Sequence, residues 1–137
     1  MNKIPAGYTV KASQHLAAKG IVANGLYTDR ALKNGDVVAE YRGKILSLDQ
    51  ALKKKTNRAY MFDVKVGKKV IHVIDAGNKK LSSFARFANS ADYDSEQNTE
   101  FVQKNKKIFL VAKKKIAKNT ELLTWYGKRT SDVIRQT

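Results

Sequence analysis

The sequence predicts one mostly β domain made of many short strands. Three observations predict it. Turn signals are closely spaced, at Lys33-Asn34-Gly35-Asp36, Gly67-Lys68-Lys69, Lys104-Asn105-Lys106 and Ala117-Lys118-Asn119-Thr120. The runs between them are rich in Val, Ile, Tyr, Phe and Thr, and one alternates with period two. Only two short segments read as helical. With 137 residues and 42% hydrophobic content, the chain fits a single core over residues 1–137. It has no internal repeat and no linker.

Taken in order, Tyr8-Thr9-Val10-Lys11 reads as a first strand. Lys19 to Thr28 carries Gly20 and Gly25 around a small apolar run, a turn leading into a strand at Leu26. Val37 to Arg42 is a strand ended by Gly43. Ser47 has the character of a helix N-cap, with Gln50 at the capping-box position, for a helix running to about Lys55. Tyr60, Phe62, Val64 and Val66 share one face of a strand that turns at Gly67 and returns over Val70 to Ile74. Leu81 to Phe87 reads as one or two helical turns with Leu81, Phe84 and Ala85 on a common side. The polar, acidic segment Ala91 to Asn98 reads as a loop. Thr99 to Gln103 and Lys107 to Ala112 form a second hairpin. The last strand is Glu121-Leu122-Leu123-Thr124-Trp125-Tyr126-Gly127, with the single Trp of the chain. Met1 to Ala6 and Lys128 to Thr137 read as frayed ends.

Charge is the most unusual bulk property: 27 Lys and Arg against 12 Asp and Glu, a formal +15. Such a surface draws polyanions without sequence preference. A solvated Lys-rich surface explains the same number, and Lys lacks the planar fork that Arg uses for bidentate contacts. The absence of cysteine excludes disulfides, thiolate zinc sites and a cysteine nucleophile. No signal peptide is legible, and no apolar run approaches the ~18 residues of a membrane span. A non-secreted protein is expected, nuclear or cytoplasmic, with the nucleus favoured. There is no dinucleotide fingerprint, P-loop or nucleophile elbow. His15 and His72 have no ligand spacing to each other or to a carboxylate pair, so no metal is expected.

Several pieces are collinear with one family pattern. They are Lys19-Gly20 … Asn24-Gly25-Leu26-Tyr27, then Glu40-Tyr41-Arg42-Gly43, Tyr60-Met61-Phe62 and Ile74-Asp75-Ala76. Arg86-Phe87-Ala88-Asn89-Ser90, Ile108 to Lys113 and Glu121-Leu122 … Tyr126-Gly127 follow. In this order the chain resembles the SET domains, the S-adenosylmethionine-dependent protein-lysine methyltransferases, over about residues 19–127. The Asp94 to Asn98 loop and the Trp125-Tyr126-Gly127 ending look closest to the PR subclass; small stand-alone and viral SET proteins are another fit. The resemblance implies a SET fold, several short antiparallel sheets with few helices and a C-terminal pseudoknot. Two departures stand out: Ala23 replaces the first glycine of the opening segment, and Ser90-Ala91 follows Asn89 where the family has His-Ser.

The resemblance also implies roles. Tyr126 and Tyr60 are the expected catalytic residues, the first with its hydroxyl at the transferring methyl, the second as a channel wall. Asn24, Gly25, Arg86, Phe87, Asn89, Ser90 and Trp125 form the expected cofactor surface. Asn89 would take the amino-acid end; Arg86, with Asp75, would mainly hold its loop. Thr124 and Phe109 line the expected substrate channel. Thr124 stands where many members carry a larger aromatic, which leaves room for more than one methyl group. Each residue also has an ordinary reading: core aromatics for Tyr126 and Trp125 (the core being favoured for Trp125), a hairpin residue for Tyr60, and turn residues for Asn24, Gly25 and Asn89.

These residue types suit amine methylation. A lysine side chain with pKa near ~10.4 needs about 4–5 kcal/mol to lose its proton at pH 7. A narrow apolar channel lowers that cost by disfavouring the ammonium. The function the resemblance implies is protein-lysine N-methylation with S-adenosylmethionine. The expected substrate is a histone or another Lys-containing protein, with nonspecific nucleic-acid or nucleosome contact and a homodimer as further partners. A catalytically degenerate SET module that binds protein or nucleic acid, and a small basic β domain that coats RNA or DNA, stay open as alternatives. Basic histone tails would meet either a locally acidic groove, with Asp92, Asp94, Glu96 and Glu100 as candidates, or a DNA-gripping positive face.

Overall fold

The computed structural model describes residues 4–54, 61–77 and 83–125. Its elements are eleven short strands, two short α-helices and two 3-10 turns among these residues. Strand β1 (Tyr8–Ala12) pairs antiparallel with β2 (Asn24–Thr28), and β10 (Thr120–Glu121) lies on the other edge of β2. A second sheet has β9 (Lys107–Ala112) between β3 (Val37–Tyr41) and β8 (Thr99–Lys104). A third has β6 (Lys69–Asp75) between β4 (Lys44–Leu46) and β5 (Met61–Val66). The fourth is a parallel pair, β7 (Asn89–Ser90) against β11 (Leu123–Thr124). The architecture is the mostly β SET fold that the sequence predicts.

The turn chemistry holds in detail. The two non-glycine residues with left-handed φ among those described are Asn105 and Asn119, each in an expected turn. Ser47 caps helix α2 (Leu48–Lys53): its hydroxyl accepts from the Gln50 amide, and the Gln50 side chain accepts from the Ser47 amide. Leu26, Val64, Ile108, Leu110 and Leu122 form the fully buried centre of the main core. Leu46, Ala51, Met61 and Val73 form a smaller cluster under α2.

Three expectations need correction, and one helix had no expectation attached to it. The alternation expected through Val66 fails, because a bulge at Val64/Lys65 shifts the register. Met61 is buried on the face opposite the one expected to carry the core, and Val66 is exposed. Helix α1 (Gln14–Ala17) was not legible as a helix; Ser13 caps it by accepting from the Leu16 amide. The expected helical turns contract to a 3-10 turn at Phe84–Phe87, and the 91–98 loop contains another at Asp94–Glu96. The single C-terminal strand is two two-residue strands that serve different sheets, with Leu122 between them. Tyr60, Lys55, Leu81 and the segment from Tyr126 onward lie outside the described residues.

Candidate active site

The organising feature is how residues 120–124 are held. On one side, β10 pairs with β2 and the Leu122 amide donates to the Leu26 carbonyl at 2.7 Å. On the other, Leu123 and Thr124 pair with Asn89 and Ser90, and the Ala91 amide donates to the Thr124 carbonyl at 2.6 Å. Asn98 supplies a third line of bonds. Its side-chain amide donates to the Glu121 carbonyl at 2.9 Å, its side-chain oxygen accepts from the Leu123 amide at 2.8 Å, and its own amide donates to the Leu123 carbonyl at 3.1 Å. The Thr99 hydroxyl adds a bond to that carbonyl at 2.9 Å. The tail thus passes between two separate parts of the chain, the expected pseudoknot.

Glu121 is the hub under this crossing. Its carboxylate is buried and accepts from the Ser13 hydroxyl at 2.6 Å, the His15 amide at 3.0 Å, the Tyr27 hydroxyl at 3.4 Å and the Asn89 side-chain amide at 3.4 Å. A buried carboxylate needs such donors, since an unpaired one is costly. The Tyr27 hydroxyl shares its single proton between Glu121 and, at the shorter distance of 2.9 Å, the Ala12 carbonyl, and it accepts from the Gln14 amide at 2.9 Å. Burial pushes the Tyr27 phenol above its ordinary pKa, and the Glu121 charge pushes it further.

Three of the seven expected cofactor residues, Asn24, Gly25 and Asn89, meet at this hub. The Asn89 side-chain amide donates to the Asn24 carbonyl at 2.9 Å, joining the two halves of the expected surface. Gly25 is buried directly beneath Glu121: a Cβ there would overlap the carboxylate, with Cδ at 3.0 Å and Ser13 Cβ at 3.1 Å. The glycine thus admits Glu121. Arg86 is buried and donates to the Gly77 carbonyl at 3.3 Å, while Asp75 accepts from the Gly77 amide at 2.9 Å and pairs with Lys54 at 2.9 Å. Both side chains thus meet at Gly77. The Arg86 guanidinium lies 5.9 Å from the half-buried Phe87 ring. The Ser90 hydroxyl donates to the Ala91 carbonyl at 3.3 Å.

Thr124 is 1% exposed, and its hydroxyl has no hydrogen-bond partner among the described residues. Trp125 is 42% exposed, so the favoured core reading of this residue is corrected. It lines a cavity of about 90 Å³ with Ala91, Asp92, Tyr93, Asp94 and Gln97. The acidic loop therefore stands beside the site. Phe109 lies elsewhere, in β9, where it lines a groove with Lys104 to Lys107. An adjoining groove is lined by Arg42, His72, Lys106 and Lys107, with Tyr41, Ile45 and Ile74 as apolar surface. Neither groove shares a residue with the Trp125 cavity. The expected catalytic tyrosines, Tyr60 and Tyr126, lie outside the described residues; each directly adjoins a buried or site-lining neighbour, Met61 and Trp125.

Sequence reasoning missed Asn98, Ser13 and the hub role of Glu121. Glu121 and Ser13 are 108 positions apart, and no local pattern marks such a pair. Asn98 was read as one more polar loop residue; its position just before a strand is the only hint it carries.

Among solved structures, the methyltransferase domain of human PR domain-containing protein 2 superposes with TM-score 0.69 at 23% identity, covering 89% of this chain and 78% of that one. ATXR5 in complex with histone H3.1 gives TM-score 0.69 at 19% identity, over 92% of this chain and 59% of that one. In sequence, the chain is 33% identical over 106 residues to histone-lysine N-methyltransferase set-17 of Caenorhabditis elegans, covering 75% of this chain. It spans 36% of the length of that relative. Residues 10–136 match the PR domain of PR domain zinc finger protein 2. The chain therefore belongs to the PR domain family, with a SET fold.

Proposed function

We propose that this protein is an S-adenosylmethionine-dependent protein-lysine N-methyltransferase that acts on histone lysine. The observation that carries the reading is the pairing of Asn89-Ser90 with Leu123-Thr124. It brings the expected cofactor loop to the segment that leads into Tyr126.

The residues present fit the cofactor. Asn89 spends its amide nitrogen on Asn24 and Glu121, and its side-chain oxygen is left to accept from the ammonium of the amino-acid end. The Thr124 hydroxyl is buried and without a hydrogen-bond partner among the described residues, a polar atom that a bound group can meet. The exposed Trp125 ring offers a face for a flat or cationic group. When bound, S-adenosylmethionine supplies an electrophilic methyl group on a cationic sulfur. The chain's own work is to desolvate the lysine amine, exclude water and align the amine. Tyr126 would orient the reacting end with its hydroxyl, and Tyr60 would wall the channel. Asp92, Asp94 and Glu96 give the site an acidic rim suited to a basic tail. The Arg42 and Lys104 to Lys107 face would meet nucleosomal DNA. The substrate or a second copy of the chain would cover the channel. Residence in the nucleus follows from such a substrate.

The test is transfer of a radiolabelled methyl group to histones and nucleosomes by wild type and Tyr126→Phe. Wild type should label lysine, and the variant should lose on the order of a hundredfold or more, the scale of losing one positioned hydrogen-bonding group. Equal labelling by both, with intact folding, removes Tyr126 from its role.

A degenerate module that binds without turnover is the second reading. It is favoured by one observation: the Glu121 carboxylate fills the space over Gly25, so that stretch of backbone is covered from inside. Calorimetry with S-adenosylmethionine separates the two. Saturable micromolar binding argues for a working cofactor site, and no binding argues for the degenerate module.

A further inference from the structure

We propose that His15, Asp92 and Glu96 form a binding site for a divalent transition-metal ion of the zinc class. One ligand atom from each residue lies within 4.8 Å of the other two. The His15 side chain is only 9% exposed, and its Nε2 is buried without a hydrogen bond among the described residues. That atom faces Asp92 Oδ2 at 3.3 Å. Two donors each at about 2.0–2.1 Å from a tetrahedral zinc stand roughly 3.3–3.4 Å apart. Glu96 Oε2 lies 3.9 Å from the other ring nitrogen, Nδ1, so completing the set on Nε2 requires the Glu96 carboxylate or the imidazole to turn.

Each carboxylate is held by one oxygen and offers the other. Asp92 Oδ1 accepts from the Lys19 ammonium at 2.8 Å. Glu96 Oε1 accepts from the Asp92 and Tyr93 amides at 3.0 and 3.1 Å. Outer bonds of this kind orient ligands before an ion arrives. The imidazole is placed by its own backbone, whose amide is fixed to Glu121 at 3.0 Å. Two carboxylates face one ammonium, which leaves a negative charge for a dication to balance. One imidazole with two carboxylates is a donor set that zinc accepts, and it leaves a position open. The ligands come from α1 and from the turn after Asn89-Ser90, so an ion would clamp α1 to the loop that lines the Trp125 cavity. The site does not depend on methyl transfer.

The test uses the full chain stripped with a chelator. Zinc chloride is titrated by calorimetry, cobalt(II) absorption reports the donor set, and thermal melts report stability. One equivalent should bind saturably, raise the Tm and give a cobalt spectrum of low coordination number. His15→Gln and Asp92→Asn should each weaken zinc binding by at least about tenfold, whereas His72→Gln should not. No saturable binding at millimolar zinc overturns the proposal. Undiminished binding by folded His15→Gln overturns it as well.

Discussion

Replacing Gly25 by alanine tests the hub most directly. Gly25 sits in β2 outside the left-handed region, so its backbone conformation accepts any residue. On conformational entropy alone, alanine there would stabilise the fold by about 0.4–1 kcal/mol. The structure predicts the opposite sign. The new methyl group would overlap the Glu121 carboxylate and would also crowd Ser13 Cβ at 3.1 Å. The atom displaced is Oε2, which accepts from Ser13 at 2.6 Å and Asn89 at 3.4 Å. Hydrogen bonds to a charged group contribute about 1.5–3 kcal/mol each, the longer one less. After subtracting the entropic gain, the net loss is about 1–3 kcal/mol. For a domain of this size that lowers the Tm by roughly 4–15 °C. Thermal and urea melts of Gly25→Ala measure it, and the same change on a Glu121→Asp background, where the carboxylate is withdrawn by one methylene, should cost clearly less. A Gly25→Ala protein as stable as wild type, or an equal penalty on both backgrounds, refutes the reasoning.

Asn98→Ala removes a side chain that bonds the Glu121 carbonyl and the Leu123 amide, both buried; urea melts should show a loss of about 2–4 kcal/mol. Leu122→Ala empties a fully buried position at the tail crossing and should cost about 2–5 kcal/mol in the same assay. The raised Tyr27 pKa implies stability that is complete below the ordinary phenol pKa near ~10 and is lost as pH rises through the folded value. Tyr27→Phe should flatten that alkaline fall in a melt series across pH. The Lys19 ammonium, by its hydrogen bond first, holds the Asp92 carboxyl below its ordinary range. In Lys19→Met, an NMR titration should show that carboxyl moving upward.

Local physics made the strands and turns legible in the sequence. Asn105 and Asn119 turn the chain because their side chains tolerate left-handed backbone, and Ser47 with Gln50 starts a helix because together they satisfy its free amides. The order of the short motifs, from Asn24-Gly25 to Trp125, was equally legible, and with it the fold family. Tertiary packing alone decided the rest. The sheet is covered on its second face, where Met61 packs with Val73 and Ala51, and a bulge at Val64/Lys65 breaks the alternation further on, so a clean alternation misassigned Met61 and Val66. The ending that reads as one strand is divided at Leu122, because its two halves find hydrogen-bond partners in different sheets. Trp125 is turned out beside an acidic loop although Leu122 and Leu123 just before it are buried. Glu121 with Ser13 and Asn89, and His15 with Asp92 and Glu96, meet only when distant segments close on one another. Periodicity and turn chemistry act over a few residues, whereas a buried charge finds its donors wherever the folded chain places them.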